Sequence, residues 1–174
     1  LAVVADVVRR YDIDGVHIDD YFYPYPVRAT TDATGEEVPF PDEPAWTRYR
    51  QHAGFFAWRD RADWRRNNVD RLVRDLYATV HAIKPWVKVG ISPFGVGRPD
   101  QRPSGITGFS QYDKLYANVE RWLRAGWLDY LAPQLYWPID REAQSFPVLL
   151  DYWASENWHG RHLWPGLFTS RIDD

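Results

Sequence analysis

Apolar and polar positions along the chain follow two periods, one typical of helices and one typical of strands. Four segments have apolar side chains at the spacing of one helical face: residues 1–10, 64–84, 112–125 and 146–158. Four short apolar runs have strand character: residues 14–20, 87–92, 130–136 and 163–168. Asp63 and Ser145 are suited to cap helix starts, and Gly126 is suited to a left-handed helix end. This alternation predicts parallel strands joined by crossover helices.

Side chains of a strand alternate between its two faces, so the first and third strands each predict an apolar and a polar face. The apolar faces carry Val16, Ile18, Leu131, Pro133 and Leu135. The opposite faces carry Gly15, His17, Asp19, Tyr21, Ala132, Gln134 and Tyr136. We expect the apolar sets to pack against the helices. The polar sets should look into a shared opening, because parallel strands deliver their far ends to the same edge of a sheet.

Two fold classes fit four strands alternating with four helices: a doubly wound sheet and part of a (β/α)8 barrel. Polar and aromatic residues at the carboxyl ends of the strands favour the barrel. The segment GVGRP at 95–99 follows a strand but lacks the glycine spacing of a dinucleotide-binding turn. Residues 21–62, which separate the first strand from its helix, form a connection far longer than is usual in such units and rich in aromatic side chains.

Composition narrows the classes of partner. With 174 residues and 45% hydrophobic content, the chain can bury the core of one domain. A net charge of −3 makes nucleic acid a poor partner, and no apolar run approaches the roughly 20 residues of a membrane span. Cysteine is absent, which excludes disulfides and thiolate chemistry. The 10 Trp, 11 Tyr and 8 Phe, many of them in loop-like segments, suit a ligand that mixes C–H faces with hydroxyl groups.

Three long blocks resemble the glycosyl-hydrolase-like 10 family of bacterial proteins: DIDGVHIDDYFYPYP, DWRRNNVDRLVRDLYATVHAIKPWVKVGISPFGVGR and YLAPQLYW. The resemblance implies that residues 1–174 form a single, incomplete (β/α)8 barrel domain of the α/β class. Its four strands would be the fourth to seventh of the barrel, with residues 21–62 as a long loop on the rim. The resemblance also implies a glycoside hydrolase outside the cytoplasm, acting on an oligo- or polysaccharide of the bacterial envelope, especially peptidoglycan lacking its peptides.

Glycoside hydrolysis uses one carboxylic acid to protonate the leaving oxygen and a carboxylate or substrate group to stabilise the developing positive charge. Asp19 and Asp20 supply this residue type. The segment DGVHID is similar to the DGFRLD strand of the α-amylase clan and to DGLDIDWE of the family 18 chitinases, and Asp19 matches an acid in both. The second strand ends in Gly-Ile-Ser-Pro, without an amylase-type glutamate. This leaves Asp20, or an acid elsewhere, as the general acid, and a non-catalytic glycan-binding barrel as the alternative.

The remaining candidates are substrate contacts. His17 shares the face of Asp19 and is expected to bond Asp19 or a sugar hydroxyl, and Tyr21 lies on the same face. The other candidates are Tyr23, Tyr25, Ser92, Arg98, Gln134, Tyr136 and Trp137. Among these, Arg98 follows from the resemblance, and Tyr136 resembles a chitinase tyrosine that orients N-acetyl groups. We expect no cofactor and no metal, because the histidines other than His17 lack a second ligand at useful spacing.

Overall fold

The computed structural model describes residues 1–29, 35–58 and 60–171. Its α-helices are α1 (Ala2–Arg10), α2 (Glu43–Ala53), α3 (Arg61–Ile83), α4 (Gln111–Lys114), α5 (Val119–Ala125) and α6 (Phe146–Glu156). Its strands are β1 (Gly15–Ile18), β2 (Lys88–Ile91), β3 (Tyr130–Leu131) and β4 (His162–Leu163). Short 3-10 helices lie at Gly54–Phe56, Glu142–Gln144 and Thr169–Arg171.

The four strands form one parallel sheet in the order β1-β2-β3-β4, so neighbours in space follow the order of the chain. Ile18, Ile91 and Leu131 occupy one row of the register across the first three strands. Past the strand ends, Gln134 forms parallel bridges to Phe94 and Gly166. A sheet order without a reversal is consistent with part of an α/β barrel, because a doubly wound sheet reverses its strand order at the switch point.

Helices α1, α3, α5 and α6 cover one face of the sheet, which is the face that the alternation of apolar residues predicts. Val8, Leu76, Val80 and Val89 form one buried cluster between α1, α3 and β2, and Val16 packs against it. A second, larger cluster joins α3, α5 and α6 to the sheet through buried side chains that include Val73, Ile91, Trp122, Leu131, Leu135 and Trp153. With the helices on this face, the opposite face of β1 and β3 is left for polar side chains.

The prediction of one continuous helix over 112–125 is wrong, since the chain forms two shorter helices there, α4 and α5. Tyr116 lies between them with φ of 56°, a left-handed conformation that a continuous helix does not contain. The Asn118 side chain then accepts from the Arg121 N–H and begins α5. Gly126, with φ of 70°, ends α5 in the predicted left-handed cap.

Two helix starts also differ from the sequence prediction. Helix α3 begins at Arg61 and not at Trp64, because Asp60 is its N-cap and accepts from the Asp63 N–H. Ser145 is the residue before α6, but its hydroxyl donates to the Ile139 carbonyl instead of capping the helix. The strands are shorter than predicted at their carboxyl ends. In β3, Pro133 has no N–H with which to continue the ladder.

The long connection after β1 is partly helical. It contains α2 and a 3-10 turn, while residues 30–34 and 59 of the predicted 21–62 loop lie outside the described residues. Asp42 ties this segment to α3, since its carboxylate accepts from Arg65 at 2.7 and 2.8 Å and also from Arg61. Although burial opposes ionisation, these hydrogen bonds hold the pKa of Asp42 below its ordinary value. Among the described residues, no helix has the length and apolar character needed to span a bilayer.

Candidate active site at the carboxyl ends of the strands

A cavity of about 390 Å³ opens where β1, β2 and β3 end. Its lining consists of His17, Asp19, Asp20, Tyr21, Tyr25, Ser92, Gln134 and Tyr136. Most of these side chains come from the polar faces of the first and third strands. All eight belong to the catalytic and substrate-binding residues predicted from the sequence. Their functional roles stay predictions, but the fold places them around one space.

Asp19 is exposed at the mouth of this cavity and is held by one of its two carboxylate oxygens. Oδ1 accepts from Gln134 Nε2 at 2.9 Å and from the Asp20 N–H at 2.9 Å. Oδ2 accepts no hydrogen bond from the part of the chain that the structure describes. Gln134 Nε2 also donates to the Ser92 carbonyl at 3.0 Å, which fixes the amide between two strand ends. Among the described residues, Asp19 is therefore oriented through Oδ1.

Asp20 lines the same cavity but is only 3% exposed. It follows the end of β1, where the strand geometry that would send adjacent side chains to opposite faces no longer holds. Its Oδ2 accepts a hydrogen bond from the Tyr25 hydroxyl. Burial raises the pKa of Asp20, the Tyr25 hydrogen bond partly opposes the rise, and the charge of Asp19 adds to it. The pair thus combines an exposed carboxylate with a buried carboxyl group that holds its proton more readily.

Among the described residues, the hydrogen-bond partner of His17 is Tyr130 and not Asp19, while the predicted bond of His17 to a sugar hydroxyl stays a prediction. His17 Nδ1 shares a 2.9 Å hydrogen bond with the Tyr130 hydroxyl, and the two rings stack with centroids 5.6 Å apart. Tyr130 is a residue that the sequence reasoning missed. The same period-two rule that selected Gln134 and Tyr136 places Tyr130 on their face of β3, so the signal was present.

Tyr130 fits inside the sheet because the neighbouring residue on β2 is glycine. Gly90 pairs with Tyr130 in the parallel register, and a Cβ atom at Gly90 would lie 1.8 Å from Tyr130 Cζ. On its other side the Tyr130 ring packs against Trp164, with centroids 4.7 Å apart. Tyr130 and Trp164 therefore form an aromatic layer below the cavity, and this layer requires glycine at position 90.

Three more predicted contacts lie in or next to the cavity. Ser92 donates its hydroxyl to the Ala132 carbonyl at 3.0 Å, so it joins β2 to the end of β3. Tyr136 is 43% exposed and faces both this cavity and a second one. Trp137 lines the second cavity, where its ring meets that of Phe94 edge to face at 5.5 Å.

Tyr23 and Arg98 lie outside the cavity that contains Asp19. The Tyr23 ring packs edge to face against Phe40 and Tyr116, with Arg65 5.6 Å above it, so it contributes to the packing of the long loop. Arg98 pairs with Asp100 at 2.6 and 2.9 Å and lies over the Tyr112 ring at 4.1 Å. Their roles as substrate contacts stay predictions.

Structural contacts fix the loop that follows β2. Buried Gln111 donates to the carbonyls of Phe94 and Val96, and Trp153 Nε1 donates to the Gly95 carbonyl at 2.8 Å. Buried Glu120 accepts from the Arg98 N–H at 2.8 Å and from the Tyr152 hydroxyl at 2.7 Å. The acids and amides near this loop thus hold its backbone in place and do not line the cavity.

No group of three or more His, Cys, Asp or Glu side chains among the described residues is arranged to hold a metal ion. His17 and Asp19, which lie two positions apart on β1 and just past its end, each have a different hydrogen-bond partner.

Carboxyl groups, an amide and phenols at the carboxyl ends of parallel strands are the kind of site that α/β-barrel glycoside hydrolases carry. Comparison with known families agrees with this class. The model of the family described as glycosyl hydrolase-like 10 matches residues 1–174, and the chain belongs to that family.

Two relatives are named as glycosyl hydrolases. The chain is 44% identical over 157 residues to glycosyl hydrolase YngK of Bacillus subtilis (strain 168), which covers 88% of this chain and 28% of the relative. It is 42% identical over 156 residues to glycosyl hydrolase DigH of Escherichia coli (strain K12), covering 88% of this chain and 32% of the relative. The chain therefore spans about a third or less of the length of these relatives.

Proposed function

We propose that the protein is a glycoside hydrolase that acts on N-acetylhexosamine-containing strands of the bacterial cell wall or on related glycans. The observation that carries the proposal is the pairing of exposed Asp19 with buried Asp20 in one cavity. Membership of a glycosyl hydrolase-like family and the names of the two relatives support the reaction class. A cell-wall substrate would place the protein outside the cytoplasm. The four strands would be the fourth to seventh of a complete barrel.

In the proposed reaction, Asp20 is the general acid. Its carboxyl proton passes to the glycosidic oxygen as the bond from that oxygen to C1 breaks, and the bonding electron pair leaves with the oxygen. The raised pKa of Asp20 favours the protonated form that this step needs. A water molecule then delivers hydroxide to C1 and returns a proton to Asp20.

Asp19 stabilises the positive charge that develops at C1. Its Oδ2 either bonds to C1 or orients the acetamido group of the sugar, whose carbonyl oxygen then bonds to C1. Gln134 keeps the carboxylate in place through Oδ1, so the reacting oxygen needs no reorientation. Tyr136, which lines the cavity, would bond the acetamido group, and His17, Tyr21 and Ser92 would be the remaining polar contacts for sugar hydroxyls.

A second candidate function is a glycan-binding barrel without catalysis. It is favoured by the end of β2, where Ser92 bonds the Ala132 carbonyl and the following loop supplies no acid to the cavity. An enzyme of the α-amylase type would need a carboxyl group there.

One assay with two readouts distinguishes the hydrolase from the binding barrel. The full-length protein is incubated with peptide-free cell-wall strands, and both retention on the strands and newly formed reducing ends are measured. A hydrolase releases reducing ends in proportion to time and protein concentration. Retention on the strands without any new reducing ends would contradict the hydrolase proposal and favour the binding barrel.

A further inference from the structure

A second cavity of about 340 Å³ adjoins the one that contains the carboxyl pair. It is lined by Tyr136, Trp137, Arg141 and Phe168. Tyr136 also lines the first cavity, so the two cavities share this ring. The second cavity has the position of a neighbouring sugar subsite.

Its aromatic side chains present flat, accessible surfaces. The rings of Tyr136 and Phe168 have centroids 6.3 Å apart at an interplanar angle of 48°, and their side chains are 43% and 44% exposed. The Trp137 ring packs edge to face against Phe94. Such rings suit the C–H faces of a pyranose, since they provide a large apolar contact at low entropic cost.

Arg141 is the charged member of the lining among the described residues. Its Nε donates to Gln144 Oε1 at 2.6 Å, which directs the guanidinium group. Within the described ranges no carboxylate pairs with Arg141, whereas Arg98 and Arg124 each pair with an acid. The flanking acids Asp140 and Glu142 are not part of the lining. The terminal nitrogens of Arg141 are therefore available to an anionic ligand.

We infer that this cavity is a subsite for a sugar residue carrying a free carboxylate, which Arg141 binds. The inference rests on the proposed glycoside hydrolase function and specifies its substrate. Guanidinium groups match planar carboxylates in charge and geometry, and the neighbouring rings select for a sugar rather than for a small anion. Cell-wall N-acetylhexosamines include a residue with a lactyl ether, whose carboxyl group is free in peptide-free strands and an amide where a peptide is attached. Arg141 would distinguish these two forms.

The first experiment varies the substrate and leaves the residues of the subsite unchanged. The full-length protein carrying Asp19→Asn, which slows turnover, is titrated calorimetrically with cell-wall oligosaccharides and with the same oligosaccharides whose carboxylates are converted to methylamides. We expect the carboxylate form to bind about tenfold more tightly at low salt, with the difference shrinking as salt is added. Equal affinities, or no binding of either form, would overturn the inference.

The protein side uses three variants in the same background. Arg141→Gln should remove the preference for the carboxylate form, and Arg141→Lys should retain part of it because the charge remains. Arg71→Gln, at an exposed arginine of α3, removes the same charge elsewhere and should leave the preference unchanged. Since Arg141 also bonds Gln144, the near-ultraviolet circular dichroism of each variant is compared first. A preference that survives Arg141→Gln would overturn the inference.

The binding and turnover measurements together distinguish failure of the subsite inference from failure of the hydrolase proposal. A tenfold preference in the Asp19→Asn protein, together with no release of reducing ends by the protein that retains Asp19, would contradict the hydrolase proposal and support the subsite. Turnover without any preference would do the reverse. An oligosaccharide containing a uronic acid, titrated in parallel, distinguishes a lactyl carboxylate from a ring carboxylate, and Arg141-dependent binding of either supports the inference.

Discussion

Gln134 Nε2 donates a 2.9 Å hydrogen bond to Asp19 Oδ1, joining two residues that are 115 positions apart in the chain. The bond connects the ends of β1 and β3 across the mouth of the cavity. It orients Asp19 Oδ1, while no described residue bonds Asp19 Oδ2, which is the arrangement that the proposed chemistry uses.

Replacing Gln134 with leucine should lower kcat by about 10- to 100-fold and change KM little, because Asp19 loses the donor that orients it. Steady-state kinetics on peptide-free strands measure both constants. Gln111→Leu is no suitable control, since that buried amide holds the loop after β2, so exposed Gln51 on α2 is replaced instead. An equal fall in the Gln134 and Gln51 variants would contradict the role given to Gln134.

Replacing Tyr25 with phenylalanine should move the alkaline limb of the pH–activity profile to higher pH. The Tyr25 hydroxyl donates to the Asp20 carboxylate and so lowers the pKa of Asp20. Without that donor the protonated form of Asp20 persists to higher pH, and the general acid stays active there. Tyr21→Phe is the control, because Tyr21 lines the same cavity and its hydroxyl does not bond Asp20. The alkaline limb of the Tyr21→Phe profile should keep its wild-type position, whatever the effect on the maximal rate. A limb that moves to lower pH in Tyr25→Phe would contradict Asp20 as the acid.

Replacing Gly90 with alanine should destabilise the protein by about 1–3 kcal/mol, because the new methyl group overlaps the Tyr130 ring. Thermal unfolding monitored by circular dichroism measures the effect. Combining Gly90→Ala with Tyr130→Ala should recover part of the loss, since the smaller residue makes room, so the two changes should be non-additive. Strict additivity in this double-mutant cycle would show that the two residues are not coupled.

The period of apolar residues was sufficient to predict the helices α1 and α3, the four parallel strands and the polar face of the sheet. His17, Asp19 and Gln134 could be placed around one opening on that basis, because strand alternation is a local property that the sheet preserves. Asp20 needed a second step, namely that β1 ends before it.

Other features depend on contacts that local patterns do not contain. The break at Tyr116 follows from its packing against Tyr23 and Arg65, which are distant in sequence. The aromatic residues of the long loop could be recognised as a group, yet only the fold separates Tyr25, which reaches Asp20, from Tyr23, which packs on Phe40. The contact between His17 and Tyr130 depends on the register of β1, β2 and β3, in which Gly90 lies between the two residues, and the sequence of β1 does not contain that register.

The most direct test of the account is the turnover of the Asp19→Asn variant in the full-length protein. Asparagine keeps an oxygen for the bonds from Gln134 and the Asp20 backbone, so the fold should be retained while the charge is removed. We predict that the release of reducing ends from peptide-free strands falls about 10³-fold or more, with thermal unfolding close to that of the wild type. Turnover within a few-fold of the wild-type rate would contradict the proposed catalytic site.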